Sequence, residues 1–147
     1  MNSENLEVTQ KITFECCYVS QPPLSCGPLN AHRYQFEATI SNPQSYSDTG
    51  RVISFENLKQ AMQACSFGGY FLYQANDVLA KAIAEAFENY GVHTKSFKDQ
   101  ISAELILETL TQRLSDIVNN YGLGSIVKET KLRENTNSYV TWKRKEN

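Results

Sequence analysis

Histidine is the scarcest chemically useful residue in this chain, with two in 147 positions, His32 and His93. A metal centre built from three histidines therefore cannot form within one subunit. Cysteine is also sparse: Cys16, Cys17, Cys26 and Cys65 make neither a CxxC pair nor the dense pattern of a disulfide scaffold. Reduced thiols in a cytoplasmic protein are expected. No apolar run approaches the roughly 20 residues needed to cross a bilayer, and Met1 to Glu7 is polar and acidic, unlike a secretory leader. A large excess of charge is missing too, since 14 Lys and Arg against 16 Asp and Glu leave a net charge of -2. That balance gives no electrostatic reason to expect nucleic acid or an anionic membrane as partner. The basic run Lys143-Arg144-Lys145 is read as a solvated tail.

The chain does have enough apolar material, 41% of its residues, for one globular domain spanning 1–147. Apolar and polar residues alternate from Val8 to Tyr18 and again from Arg33 to Ser41, the period-two pattern of half-buried strands. If Cys16 and Cys17 lie on a strand they point to opposite faces, one packed and one outward. A Pro-rich loop over Gln21 to Pro28 and turns at Asn42-Pro43 and Asp48-Thr49-Gly50 are expected around these strands. Three helices follow by capping and periodicity. The first runs from Phe55 to Cys65 behind Ser54, the second from Asp77 to Tyr90 behind Asn76 with Gly91 as its stop, and the third from Ala103 to Asn120 behind Ser102. Strands at Ser125 to Leu132 and Tyr139 to Lys143 complete the order strand, strand, helices, strand, strand. This order predicts an α+β fold, a four-stranded antiparallel sheet with helices on one face. Such a sheet has two free edges, and oligomer formation is one way to cover them.

Several local segments, in chain order, resemble the 6-pyruvoyltetrahydropterin synthase family and its 6-carboxytetrahydropterin synthase branch. Phe14-Glu15-Cys16-Cys17-Tyr18 is similar to the family's F-x-A-x-H segment, and Cys26-Gly27-Pro28-Leu29-Asn30-Ala31-His32-Arg33-Tyr34 to C-G-x-L-H-G-H-x-[FY]. Asp48 to Phe55 with Leu58-Lys59 resembles D-x-x-T-G-M-V-x-D-F-x-x-L-K, and Val127-Lys128-Glu129-Thr130 resembles the V-x-E-T strand. The stretch near 74–100, including the Asp77 to Tyr90 helix, looks like an insertion.

The resemblance implies the tunnelling fold, a ring-like homo-oligomer with sites at subunit boundaries, and a catalytic zinc on three histidines. The matching positions here are Tyr18, Asn30 and His32, so one ligand of three is kept. Zinc takes imidazole nitrogen, thiolate or carboxylate, and a neutral phenol or amide is a poor replacement. Cys16, sharing a strand face with Tyr18, is a further donor from which a site could be rebuilt. Cys26 matches the family's catalytic cysteine, while Phe67-Gly68-Gly69 takes the place of the segment carrying its Asp-His pair. Glu129 matches the glutamate that anchors the pterin edge, with Thr130 beside it and Ser102 at a pocket threonine position.

Two functions follow from the resemblance. One is a degenerate homologue without zinc or another cofactor, binding a pterin- or guanine-type molecule or serving as structural partner of an active paralogue. The alternative is an active lyase in queuosine-precursor or pterin synthesis, with zinc in a rebuilt site.

Overall fold

The period-two pattern extends further than the sequence suggests. In the computed structural model, which describes residues 6–24, 27–42, 52–121 and 124–145, β1 spans Glu7–Leu24 and β2 spans Gly27–Ser41. They form one long antiparallel hairpin, paired from Glu7 with Ser41 to Val19 with Leu29 and again at Leu24 with Gly27. The expected loop over Gln21 to Pro28 is thus largely strand. The register shifts between Val19 and Leu24, the kind of irregularity in which a strand tolerates proline. The turns at Asn42-Pro43 and Asp48-Gly50, apart from Asn42 itself, lie outside the described residues, as does Cys26.

Helix α1 is Phe55–Cys65, with the Ser54 hydroxyl accepting from the Asn57 amide at 3.0 Å. Helix α3 is Ala103–Asn120, capped by Ser102 Oγ, which accepts from Leu105 N at 3.1 Å. Helix α2 is Val78–Asn89, and its cap is Asp77 rather than Asn76, with Oδ1 accepting from Ala80 N at 3.1 Å. Gly91 follows at φ +82°, a left-handed conformation that ends a helix at little cost only for glycine.

Among the described residues the sheet has six strands in the order β4-β3-β1-β2-β5-β6 and is mixed. Its expected antiparallel part is present as β1, β2, β5 (Ile126–Arg133) and β6 (Tyr139–Lys143). Beside β1 lie two further short strands without a local sequence signal, β3 (Phe71–Gln74) and β4 (Thr94–Phe97), both parallel to their neighbours. Helix α2 is the crossover between them, as a parallel pair requires. The stretch expected to hold one inserted helix is therefore a β-α-β unit.

Strand alternation assigns the helices to faces. Ile12, Phe14 and Cys16 join Tyr34, Phe36, Ala38 and Ile40 in the main core with Leu58, Met62, Leu107, Leu110 and Leu114 of α1 and α3. The intervening Val19, with Phe71, packs on Ala80 and Ala84 of α2, and Cys17 flanks them. Helices α1 and α3 thus cover one face and α2 the other, which corrects the expectation that all helices share one face. Phe71 and Leu72 make the reason visible: adjacent on β3, they enter the α2 cluster and the main core respectively.

Candidate functional site

The four residues singled out around the metal position come together on the face covered by α1 and α3. Cys16 pairs with His32 and Tyr18 with Asn30, and directly opposed residues of an antiparallel pair share a face. The Tyr18 and His32 rings lie 5.6 Å apart, and the Tyr34 ring lies 5.8 Å from His32 on its other side along β2. His32 Nδ1 is 2.8 Å from Glu134 Oε1, with both side chains partly exposed. Glu134 follows the end of β5, where Arg133 pairs with Gln35 of β2, and that register carries its carboxylate to His32.

The chemistry of this donor set does not fit a tetrahedral zinc site. Burial, followed by the charge of Glu134, pushes the Tyr18 phenol above its ordinary range, so it stays neutral. Asn30 is buried and offers only a neutral amide. His32, with Nδ1 on Glu134 and Nε2 left for a metal, is the one suitable donor of the set. Cys16 is buried in the core, and burial pushes its thiol up to about 12, far from the thiolate that a metal needs. Among the described residues, no three His, Cys, Asp or Glu side chains cluster closely enough to hold a metal ion.

Tyr34 lies beneath this group and is 1% exposed. Its hydroxyl is buried without a hydrogen bond among the described residues. Burial is the main force raising the Tyr34 phenol, and the neighbouring Tyr18 adds to it. In the sequence Tyr34 entered only as a strand residue closing a family-like segment and Glu134 not at all, because only the β2-β5 register brings Glu134 to His32.

The positions aligned with the Asp-His pair form a tight turn against β1. Gly69 has φ +77° and its amide donates to Glu15 O at 2.8 Å, while Gly68 N donates to Ser66 Oγ at 2.9 Å.

The residues expected to bind substrate do not gather at this end of the molecule. Glu129 pairs with Thr39, seven residues along β2 from His32, or about 23 Å at ~3.3 Å per residue. It also faces away from α1 and α3. There it lines a cavity of about 390 Å³ with Glu7, Lys128, Lys143 and Arg144, and Lys128 Nζ donates to Glu7 Oε1. Thr130 faces the core instead, 1% exposed, its hydroxyl 2.7 Å from that of Thr111 on α3. Ser102 Oγ is occupied as the α3 cap. One chain therefore holds the metal-position cluster and the Glu129 cavity on opposite faces and at opposite ends of the hairpin.

No protein-family model matches this sequence, and neither does any curated protein. Solved structures do match across nearly the whole chain. An uncharacterized protein from Wolinella succinogenes superimposes with TM-score 0.67 at 16% identity, covering 96% of this chain and 100% of its own. A catalytic-residue mutant of 6-pyruvoyltetrahydropterin synthase from Plasmodium vivax gives 0.64 at 13% identity, with 95% and 99% covered. The Caenorhabditis elegans 6-pyruvoyl tetrahydropterin synthase gives 0.61 at 12% identity, with 95% and 96% covered. At such identities the likeness establishes architecture, and the chain is a protein of the 6-pyruvoyltetrahydropterin synthase-like fold.

Proposed function

We propose that this protein is a binding homologue on the 6-pyruvoyltetrahydropterin synthase fold that does not carry out the zinc-dependent synthase or lyase reaction. The observation behind this reading is the donor set at the metal position: a neutral phenol, an amide, and one imidazole held by Glu134. Gly68 and Gly69, at the positions aligned with the Asp-His pair, carry no side chain for proton transfer. General acid-base help and a metal-activated group are each worth orders of magnitude in rate, so their joint loss removes the reaction.

The ligand assigned to the protein is a pterin or guanine-type molecule whose amino and ring N–H groups face Glu129. A carboxylate accepting two parallel N–H donors is a charge-assisted and geometrically selective contact, and the charged walls around Glu129 are open to solvent. A site combining Glu129 with the His32 cluster requires a neighbouring subunit, because one chain separates them. The outer edge of β1 from Glu7 to Glu15 has no partner strand among the described residues, and β6 ends the other side of the sheet. Pairing such edges would give a ring-like homo-oligomer. Partnership with an active paralogue and a cytoplasmic location complete this reading.

Cys16 directly opposite His32 favours a second reading, a lyase with a rebuilt metal site. Metal analysis of protein purified without added zinc separates the two. The binding reading expects far less than one zinc per chain, and near-stoichiometric zinc lost on His32→Ala would support the enzyme. Calorimetry with pterins and guanine derivatives then tests the ligand. Binding should weaken on the order of ten- to a hundredfold in Glu129→Gln, and no binding below millimolar concentration would leave only a structural role.

A further inference from the structure

Helix α2 has apolar residues on more than its packed side. Ala80 and Ala84 are buried and Ile83 and Phe87 partly so, which accounts for the face turned to β3 and β1. Outside that face, Val78 is 84% exposed, Leu79 53% and Tyr90 89%, with Ala82 and Ala86 exposed between them. Val78, Ala82, Ala86 and Tyr90 recur every fourth residue and so form one stripe along the helix. An apolar stripe left open beside a charged flank has the composition of a contact surface.

The order of residues in the stripe identifies what covers it. Read in either direction it is large, small, small, large, a self-complementary pattern suited to a two-fold axis. In an antiparallel pair centred between Ala82 and Ala86, Val78 meets Tyr90 of the second copy, and the alanines let the helix axes approach closely. The charged residues of the helix, Lys81, Glu85 and Glu88, lie together on one flank of the stripe. A two-fold axis sets this flank against its own reversed copy, bringing Lys81 opposite the acidic Glu85 and Glu88. A partner of unrelated sequence would have no reason to match both the size palindrome and the charge order.

We infer that the exposed face of α2 is an isologous docking surface for a second copy of this chain, with Ala82 at its crossing point and Lys81 paired with Glu85 across the axis. The contact lies on α2, away from the open edges of β1 and β6, so it stands independently of any ring formed by the sheet. Two helices of this length, roughly 18 Å each, make a small interface, and a dissociation constant of roughly micromolar order is expected.

Sedimentation of the full chain over about 1 to 100 µM tests this surface. Ala82→Asp places an uncompensated charge at the crossing and should halve the assembled mass, with dissociation raised on the order of a hundredfold or more and circular dichroism unchanged. Lys81→Glu should weaken assembly, and Lys81→Glu with Glu85→Lys should restore it. If the sheet also forms rings, Ala82→Asp leaves one ring; if it does not, the variant is a monomer. An unchanged mass in Ala82→Asp, a wild type monomeric across this range, or failure of the double charge exchange to restore assembly each overturns the proposal. The first outcome would assign the face to a partner of different sequence.

Discussion

The pair of buried hydroxyls joining α3 to the sheet gives the most exacting test of how Thr130 is used. Thr111 is 4% and Thr130 1% exposed, and their oxygens lie 2.7 Å apart, so each supplies the other's hydrogen bond in the core. Thr130→Val keeps the side-chain shape but leaves the Thr111 hydroxyl buried without this partner. An orphaned buried hydroxyl costs about 1 to 3 kcal/mol, which for a chain of this size lowers Tm by about 2 to 12 °C. Thr111→Val should cost a similar amount. Replacing both removes donor and acceptor together, and the double variant should return close to wild-type stability, giving a large coupling energy in a double-mutant cycle. Urea unfolding followed by circular dichroism measures all four proteins. A double variant as unstable as the sum of the single losses would refute the assignment. The ligand calorimetry adds a second readout, since a hydroxyl used by ligand would lose affinity in Thr130→Val with little change in stability.

Ser102→Ala should remove the α3 cap and cost about 0.5 to 2 kcal/mol in urea unfolding while leaving ligand affinity unchanged; loss of affinity with unchanged stability would return Ser102 to the pocket. Gly69→Ala should destabilise by about 1 to 2 kcal/mol from backbone conformation alone, because an added Cβ there meets nothing within 4 Å. Gly68→Ala has no positive φ and makes only ordinary contacts, so equal losses at the two positions would contradict this account. Burial holds the Cys16 thiol up to about 12 and that of Cys65 up to about 11, against 9.0 for an unperturbed thiol. Both folded-state pKa values are raised, so their stabilising effect is complete below pH 9 and is lost as pH rises from there through 11 and 12. Stability should fall by up to ~1.4 kcal/mol per pH unit for each thiol, and urea midpoints independent of pH across this window would refute the burial argument.

The sequence by itself determined the elements whose signals are local. Strand alternation in β1 and β2, and the caps Ser54 and Ser102 followed by apolar stripes, located those strands and two of the helices because hydrogen bonds and burial patterns within a few residues fix them. Strand periodicity also put Cys16 and Tyr18 on one face, whereas Asn30 and His32 fell outside the expected strand from Arg33 to Ser41 and were joined to them only by the family resemblance; the β1-β2 pairing is what brings the four together. Tertiary structure decided what depends on pairing between distant segments. Strands β3 and β4, four residues each, are too short to show a period, and parallel pairing across a helix leaves no local mark. The face taken by α2 was equally hidden, since its apolar residues spread beyond one stripe: Ile83 and Phe87 pack inward while Leu79 and Tyr90 stay exposed. The β2-β5 register alone brings Glu134 to His32, turns Thr130 into the core, and carries Glu129 to the far end and opposite face of the sheet. A shift of one residue in that pairing would exchange the faces of Glu129 and Thr130, because side chains alternate with a period of two.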